Sequence, residues 1–378
     1  MSDGVLSRRT VLKGLSTAGM ASSLAASSQA NTANDQAINC AIISEPSAGH
    51  LSAFLRGFSQ CRGVGKVAIS DSKIASFEVA QRTLGDRFEA GFRDHQEMLD
   101  KFQPKLTLVT MESRHTAAVV SAVLQADSHV LTEKPGYMSV EELEPLIKIA
   151  DQKQLHLMMA LATRSSAAIK KARKLIQDGW LGKPYACTLD WIADQTRLTR
   201  PQYHQSWLSF KDRAGGGKLI YHGIHYLDVI QHLVDAPIQH VSAFCENVGG
   251  QPIEVEDAAV LSFRFQNGMV GTLNTGYYLD EGYQNQIRVW GSKGWFHLNL
   301  PDQKPLEWHS THADAPEGVQ YFQYDDKPGL YELLLQEAID ACRGVAPPPI
   351  TGPEVLQVMK VVYGAYEASQ SGVMQRVV

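Results

Sequence analysis

Between residues 38 and 160 the chain alternates short apolar runs with amphipathic stretches, and that alternation decides the fold of its first half. Strand candidates lie at residues 38–43, 66–70, 106–111, 130–133 and 155–160, with helical patterns near 51–61, 74–84, 115–126 and 140–151. Strands separated by helix-length segments cannot be joined as hairpins; they form βαβ crossovers and pair in parallel. The expectation is an α/β Rossmann-type, doubly wound parallel sheet over residues 37–162, with helices on both faces. From residue 163 the pattern changes. An amphipathic helix at 167–178 ends at Gly179 and Gly182-Lys183-Pro184, and an alternating run follows at 185–193. Further β-rich runs at 241–245, 258–265, 268–275, 285–290 and 294–298 succeed one another without intervening helices, with turns such as Asn267-Gly268. They predict an α+β domain with a mainly antiparallel open sheet over 163–378. Two helical patterns, 330–343 and 353–369, close the chain.

The N-terminus reads as a processing signal. Ser7-Arg8-Arg9-Thr10-Val11-Leu12-Lys13 is a twin-arginine pattern, followed by a weakly apolar run and Ser28-Gln29-Ala30 as a small-residue cleavage site. The run is too short and too weakly apolar for a spanning helix, so residues 1–30 are expected to be a signal peptide and 31–36 a linker. The Tat export machinery would carry the folded protein to the periplasm. A formal net charge of -5 gives no support to a nucleic-acid or anionic-membrane partner. The 5 cysteines are scattered, with no Cys-x-x-Cys, and read as core thiols.

The run ending Leu131-Thr132-Glu133-Lys134-Pro135 delivers a lysine at a strand's carboxyl end, where open α/β sheets bind ligands. A lysine there can polarise a hydroxyl and share its proton. The loop after the first strand, Ser44-Glu45-Pro46-Ser47-Ala48-Gly49-His50, keeps only the third glycine of a dinucleotide fingerprint, Gly49. Pro46 removes a backbone N–H where pyrophosphate would be met. Asp71, at the end of the second strand, stands where an acid would bind ribose hydroxyls, and equally reads as a turn aspartate. Thr110 and His115 flank a later strand end; His115 could equally cap the next helix. In the second half, Gly215-Gly216-Gly217 allows close backbone approach before a helix bearing Tyr221, His222 and His225 on roughly one face. A histidine beside a phenol can take a proton from a substrate hydroxyl while hydride leaves the same carbon. A zinc site from His222, His225 and His232 lacks a tight ligand signature, and no metal is expected. Arg164, Trp191 and Trp207 are candidate walls of a sugar pocket, although a core role suits each tryptophan as well.

Glu133-Lys134-Pro135 after a strand, Gly215–Gly217 and then His225 together resemble the Gfo/Idh/MocA oxidoreductases, a likeness spanning residue 37 to the C-terminus. Gly182-Lys183-Pro184, Val255-Glu256-Asp257, Gly291-Ser292-Lys293-Gly294 and Ala338-Ile339 before Arg343-Gly344 support it. The resemblance implies hydride transfer between a tightly bound NAD or NADP and a sugar, polyol or glycoside. Lys134 carries over as the residue that hydrogen-bonds the reacting oxygen, His225 as the acid/base, and Glu133 joins the cofactor set. Tyr221 stands where the family usually has an aspartate. Two other readings stay open: a glycoside hydrolase or lyase that oxidises its sugar transiently, and a non-catalytic sugar-binding member without cofactor. By the same analogy the open second sheet would pair subunits into a homo-dimer or homo-tetramer.

Overall fold

The computed structural model describes residues 36–46, 48–324 and 329–378, so the expected leader and nearly all of the linker lie outside the described residues. Strands β1 (Ile38–Ser44), β2 (Val64–Ser70), β3 (Phe88–Phe92), β4 (Leu106–Thr110), β5 (His129–Thr132) and β6 (Leu157–Met159) form a six-stranded sheet. Its order is β3-β2-β1-β4-β5-β6, parallel at every pairing. Residues Cys40, Ala41 and Ile42 of β1 are fully buried, as a strand covered on both faces requires. Helices α1 (Leu51–Gln60), α2 (Phe77–Leu84), α3 (His95–Phe102), α4 (Ser113–Gln125) and α5 (Val140–Gln152) supply the crossovers. α1 buries Phe54, Leu55 and Phe58, and α5 begins where Ser139 accepts the Glu142 N–H. Strand order reverses between β1 and β4, which opens a crevice at their carboxyl ends. The sequence pattern does not show β3 and α3. β3 is a half-exposed edge strand interrupted by Glu89 and Gly91, so it carries little apolar signal.

After α6 (Ala167–Gln177), strand β7 (Pro184–Asp194) enters a second sheet. Helix α7 (Ile224–Val234) precedes β8 (Ile238–Glu246), β9 (Ala258–Phe265), β10 (Val270–Leu279), β11 (Tyr283–Gly291), β12 (Gly294–Asn299), β13 (Leu306–Ser310) and β14 (Gln320–Phe322). Helices α8 (Leu330–Cys342) and α9 (Gly352–Ser371) lead to β15 (Gln375–Arg376). The nine strands run β14-β13-β12-β11-β7-β10-β9-β8-β15; only the β7–β10 pairing is parallel. Along β9, Leu261, Phe263 and Phe265 point into the core while Val260, Ser262 and Arg264 face out.

Helix α7 and helix α9 cover the inner face of this sheet. α9 also packs on α5 and β6, and α8 packs on α1, so the last two helices lie against the first sheet's layers. Residues 37–378 accordingly form one compact unit. All five cysteines are free, and four of them are buried, in keeping with core thiols. No helix among the described residues is long and apolar enough to cross a membrane.

Candidate active site

Lys134 leaves the carboxyl end of β5 and is only 5 % exposed. Its ammonium donates to the Tyr221 carbonyl oxygen at 3.1 Å and lies 3.3 Å from the centroid of the Tyr221 ring. That contact joins the first sheet to the segment preceding α7. Around it lies a cavity of about 380 Å³, lined by Lys134, His225, Tyr221, His222, Trp191 and Arg197 among others. Lys134 and His225, distant in sequence, therefore face one space.

Residues Leu219–Gly223 form a π-helical turn that runs directly into α7. Such a turn holds one residue more than an α-helical one and recurs at functional sites. Here it carries Tyr221 and His222 into the cavity alongside His225. Close approach is built into Gly217: a Cβ there would fall 2.0 Å from the Glu256 carbonyl oxygen. Glu256 also accepts the backbone N–H groups of Gly217 and Leu219 and the Tyr366 hydroxyl, which fixes the start of the turn. Trp191, on β7, stacks on both imidazoles, with centroid distances of 5.5 Å to His222 and 5.2 Å to His225.

Burial lowers the affinity of both imidazoles for protons, and Lys134 adds to the effect at each. Both are held well below the ordinary histidine range, so each is neutral and able to accept a proton. The Nδ1 of His225 is buried without a partner. Lys134 and, more weakly, Arg197 push the Tyr221 phenol toward greater acidity. Behind His222 lies Lys218, 1 % exposed, with its Nζ 3.3 Å from His222 Nδ1 and 4.3 Å from the Tyr277 ring centroid.

Several of these residues carried no signal in the sequence. Arg197 sits on an exposed-looking turn after β7, and Tyr283, Asn285 and Tyr331 come from β11 and α8. Only the packing of α8 on α1 brings Tyr331 to the cavity, where its hydroxyl lies 2.9 Å from His50 Nδ1.

Two expected pocket walls are elsewhere. Arg164 is buried in an ion pair with Asp228, donates to Glu354 at 3.0 Å and to the Pro349 carbonyl, and does not line the cavity. Trp207 is buried in a one-turn segment away from the cavity, because its ring fills core space. Asp71 is 1 % exposed, and its carboxylate accepts Lys73 N–H, Ser76 N–H and the Ser76 hydroxyl, each at 2.9 Å. It shapes a turn rather than offering a free acid to a ribose. His232 packs on Arg173, outside the cavity, and no metal-ligand cluster occurs among the described residues.

The crevice between β1 and β4 retains unmatched polar atoms. The Ser44 and Ser113 hydroxyls and Glu133 Oε2 are buried without partners at the ends of β1, β4 and β5. Thr110 donates to the Gly49 carbonyl at 2.9 Å, and His50 Nδ1 lies 2.8 Å from Glu133 Oε1. A side chain at Gly49 would meet nothing closer than 3.9 Å, so the loop leaves room there. Pro46 is exposed on the turn. Glu45 reaches across to accept the Glu112 N–H at 2.5 Å, with His115 Nδ1 3.4 Å away, so its charge is tied to the entrance of α4. The orphaned atoms at three strand ends, rather than the glycine pattern, fit this crevice to a dinucleotide.

The buried amine of Lys218 has a measurable consequence. Burial, then Arg197 and Lys134, lower its pKa from 10.5 to about 6. Between those values the unfolded chain binds more protons than the folded one, so this group's contribution is full above 10.5 and is lost as pH falls toward 6. Urea-unfolding free energies of wild type minus those of Lys218→Met should therefore rise from about pH 6 to about pH 9. A flat difference would contradict a buried neutral amine.

Two family models match the chain: "Oxidoreductase family, NAD-binding Rossmann fold" over residues 50–161, and "GFO/IDH/MocA C-terminal domain" over residues 169–297. Myo-inositol 2-dehydrogenase of Thermotoga maritima is 22% identical over 302 residues, 79% of this chain and 86% of that protein. The 1,5-anhydro-D-fructose reductase of Ensifer adhaerens is 24% identical over 255 residues, 66% of this chain and 73% of its own. In fold, a levoglucosan dehydrogenase solved with NADH and levoglucosan superposes with a TM-score of 0.81 at 18% identity, covering 90% of this chain and 100% of that one. An oxidoreductase domain protein from Kribbella flavida gives 0.82 at 21% identity, covering 91% and 100%. With a parallel sheet in Rossmann order, a mostly antiparallel second sheet and both family models in sequence, the chain belongs to the Gfo/Idh/MocA family of NAD-binding sugar and polyol oxidoreductases.

Proposed function

We propose that this protein is an exported NAD(P)-dependent dehydrogenase or reductase acting on a hydroxyl-bearing carbon of a sugar, polyol or glycoside. The observation that carries the reading is the meeting of Lys134 and His225 in one cavity. The cavity is flanked by a switch-point crevice with unsatisfied polar atoms. Ser44, Ser113 and Glu133 would hold the dinucleotide, with Gly49, His50 and Thr110 shaping the loop beside it. When bound, the nicotinamide accepts or returns the hydride. His225, neutral because it is buried, takes the proton of the reacting hydroxyl. Lys134 hydrogen-bonds the same oxygen and stabilises the charge that develops on it, while its bond to the Tyr221 carbonyl holds the ammonium in place. Asn285 Oδ1 and Trp191 Nε1, both buried without partners, are ready to meet further sugar hydroxyls.

His225→Asn and Lys134→Met should each lower kcat by about 100-fold or more with a sugar or polyol substrate. Acid extracts of both purified variants should still contain the dinucleotide, as expected for a cofactor retained tightly. Wild-type turnover in both variants would remove the assignment. Release of aglycone from a chromogenic glycoside without net reduced dinucleotide would replace net oxidation with transient oxidation.

Export is part of the same proposal and rests on Ser7-Arg8-Arg9 and Ser28-Gln29-Ala30. Replacing Arg8 and Arg9 together by lysine should leave the full-length protein in the cytoplasm, while wild type reaches the periplasm shortened. Equal periplasmic yield from both would sink export by this route.

The outer face of the second sheet supports self-association. Phe244 pairs with Val260 across β8 and β9, and Val270 and Trp290 flank Ala186 of β7 from either side; the four are 77%, 49%, 50% and 40% exposed. We infer a dimer through this face, or a tetramer built by doubling that dimer. Light scattering should show at least twice the chain mass for wild type and the chain mass for a Val260→Glu, Val270→Glu double variant. A monomeric wild type would exclude the face as an interface.

A further inference from the structure

The cavity is unbalanced in charge. Lys134 and Arg197 both line it, and none of its lining residues is an aspartate or glutamate. Among the described residues neither of two nearby buried carboxylates pairs with Arg197: Glu133 turns Oε1 to His50, and Glu256 accepts two backbone N–H groups and the Tyr366 hydroxyl. Arg197 is half-buried with its guanidinium carbon 5.2 Å from the Tyr221 ring centroid and 5.6 Å from that of Tyr203. Among the described residues it forms no salt bridge. A cation held by aromatic rings, with no carboxylate of its own, is free to take an anionic ligand without first giving up an ion pair.

Resting on the proposed reading of the site, we propose that the substrate is a carboxylated sugar, of the uronic- or aldonic-acid class, whose carboxylate is held by Arg197. The planar fork of a guanidinium matches the two oxygens of a carboxylate and fixes its orientation as well as its charge. Lys134 then remains for the reacting hydroxyl, and Asn285 and Trp191 for the neutral edge of the ring. The aromatic rings of Tyr203 and Tyr221 keep the guanidinium from swinging into solvent when no substrate is present. Arg197 thus selects the substrate without taking part in the proton transfer at His225.

The test compares D-glucuronate, D-galacturonate and D-gluconate with D-glucose, D-galactose and D-glucose 6-phosphate, using the full mature protein loaded with NAD or NADP. Binding is followed by calorimetry and turnover by reduced-dinucleotide absorbance. Wild type should bind at least one acid about 10- to 100-fold more tightly than its neutral counterpart. Arg197→Gln should collapse that ratio toward one, mainly through KM, and Arg197→Lys should restore part of it. Circular dichroism of each variant establishes that it is folded. Equal binding of acidic and neutral sugars by wild type would overturn the proposal, as would a preference for the phosphate ester or an undiminished ratio in Arg197→Gln. Acid sugars bound selectively but never oxidised would instead overturn the oxidoreductase reading and leave the carboxylate site standing.

Discussion

The arrangement of the site depends on one buried guanidinium. Arg164 follows the last strand of the first sheet, pairs with Asp228 inside α7 and reaches Glu354 in the first turn of α9. Asp228 is three residues beyond His225 on the same helix, so this ion pair sets where the imidazole stands relative to the end of β5 and Lys134. Neither charge has water to fall back on, since Arg164 is 4 % and Asp228 0 % exposed. Removing Arg164 would strand Asp228, a loss of about 3–5 kcal/mol for buried pairs of this kind, whereas removing Asp228 would leave Arg164 only Glu354 and the Pro349 carbonyl. The residue that looks from the sequence like a substrate ligand is a strut holding the two halves in register.

Within that frame, burial and charge divide the work among groups that would otherwise resemble one another. His222 and His225 are both neutral, but only His225 has a ring nitrogen buried without a partner, whereas His222 Nδ1 already faces Lys218 and Tyr277. Lys134 and Lys218 are both buried lysines. Lys134 is seated on a carbonyl and an aromatic face, while Lys218 is buried behind His222, and its proton affinity falls accordingly. Position, not residue type, gives each its part.

Much of this was legible in the chain. The spacing of apolar runs indicated the parallel sheet, and the lysine at the end of β5 and the histidine on α7 both belong to the cavity. What could not be read depended on contacts between distant segments. Arg197 and Tyr331 lie on a turn and a helix whose local patterns carry no chemical signature, and tertiary packing alone brings them to the cavity. Asp71 is drawn into its own turn, where the Lys73 and Ser76 N–H groups and the Ser76 hydroxyl meet its carboxylate, and nothing in its spacing distinguishes that use from another. Trp207 shows the same ambiguity for an aromatic ring: core and pocket demand the same side chain.

The π-helical turn at Leu219–Gly223 has an evolutionary consequence. Its surplus residue makes it a point where a single-codon deletion can convert one helical winding into another without disturbing α7 or the strand beyond. Descendants could thereby re-index which side chains greet a new molecule while inheriting the same imidazole. Diversification of specificity in such a lineage would need only a small slip in the gene, not a rebuilt scaffold.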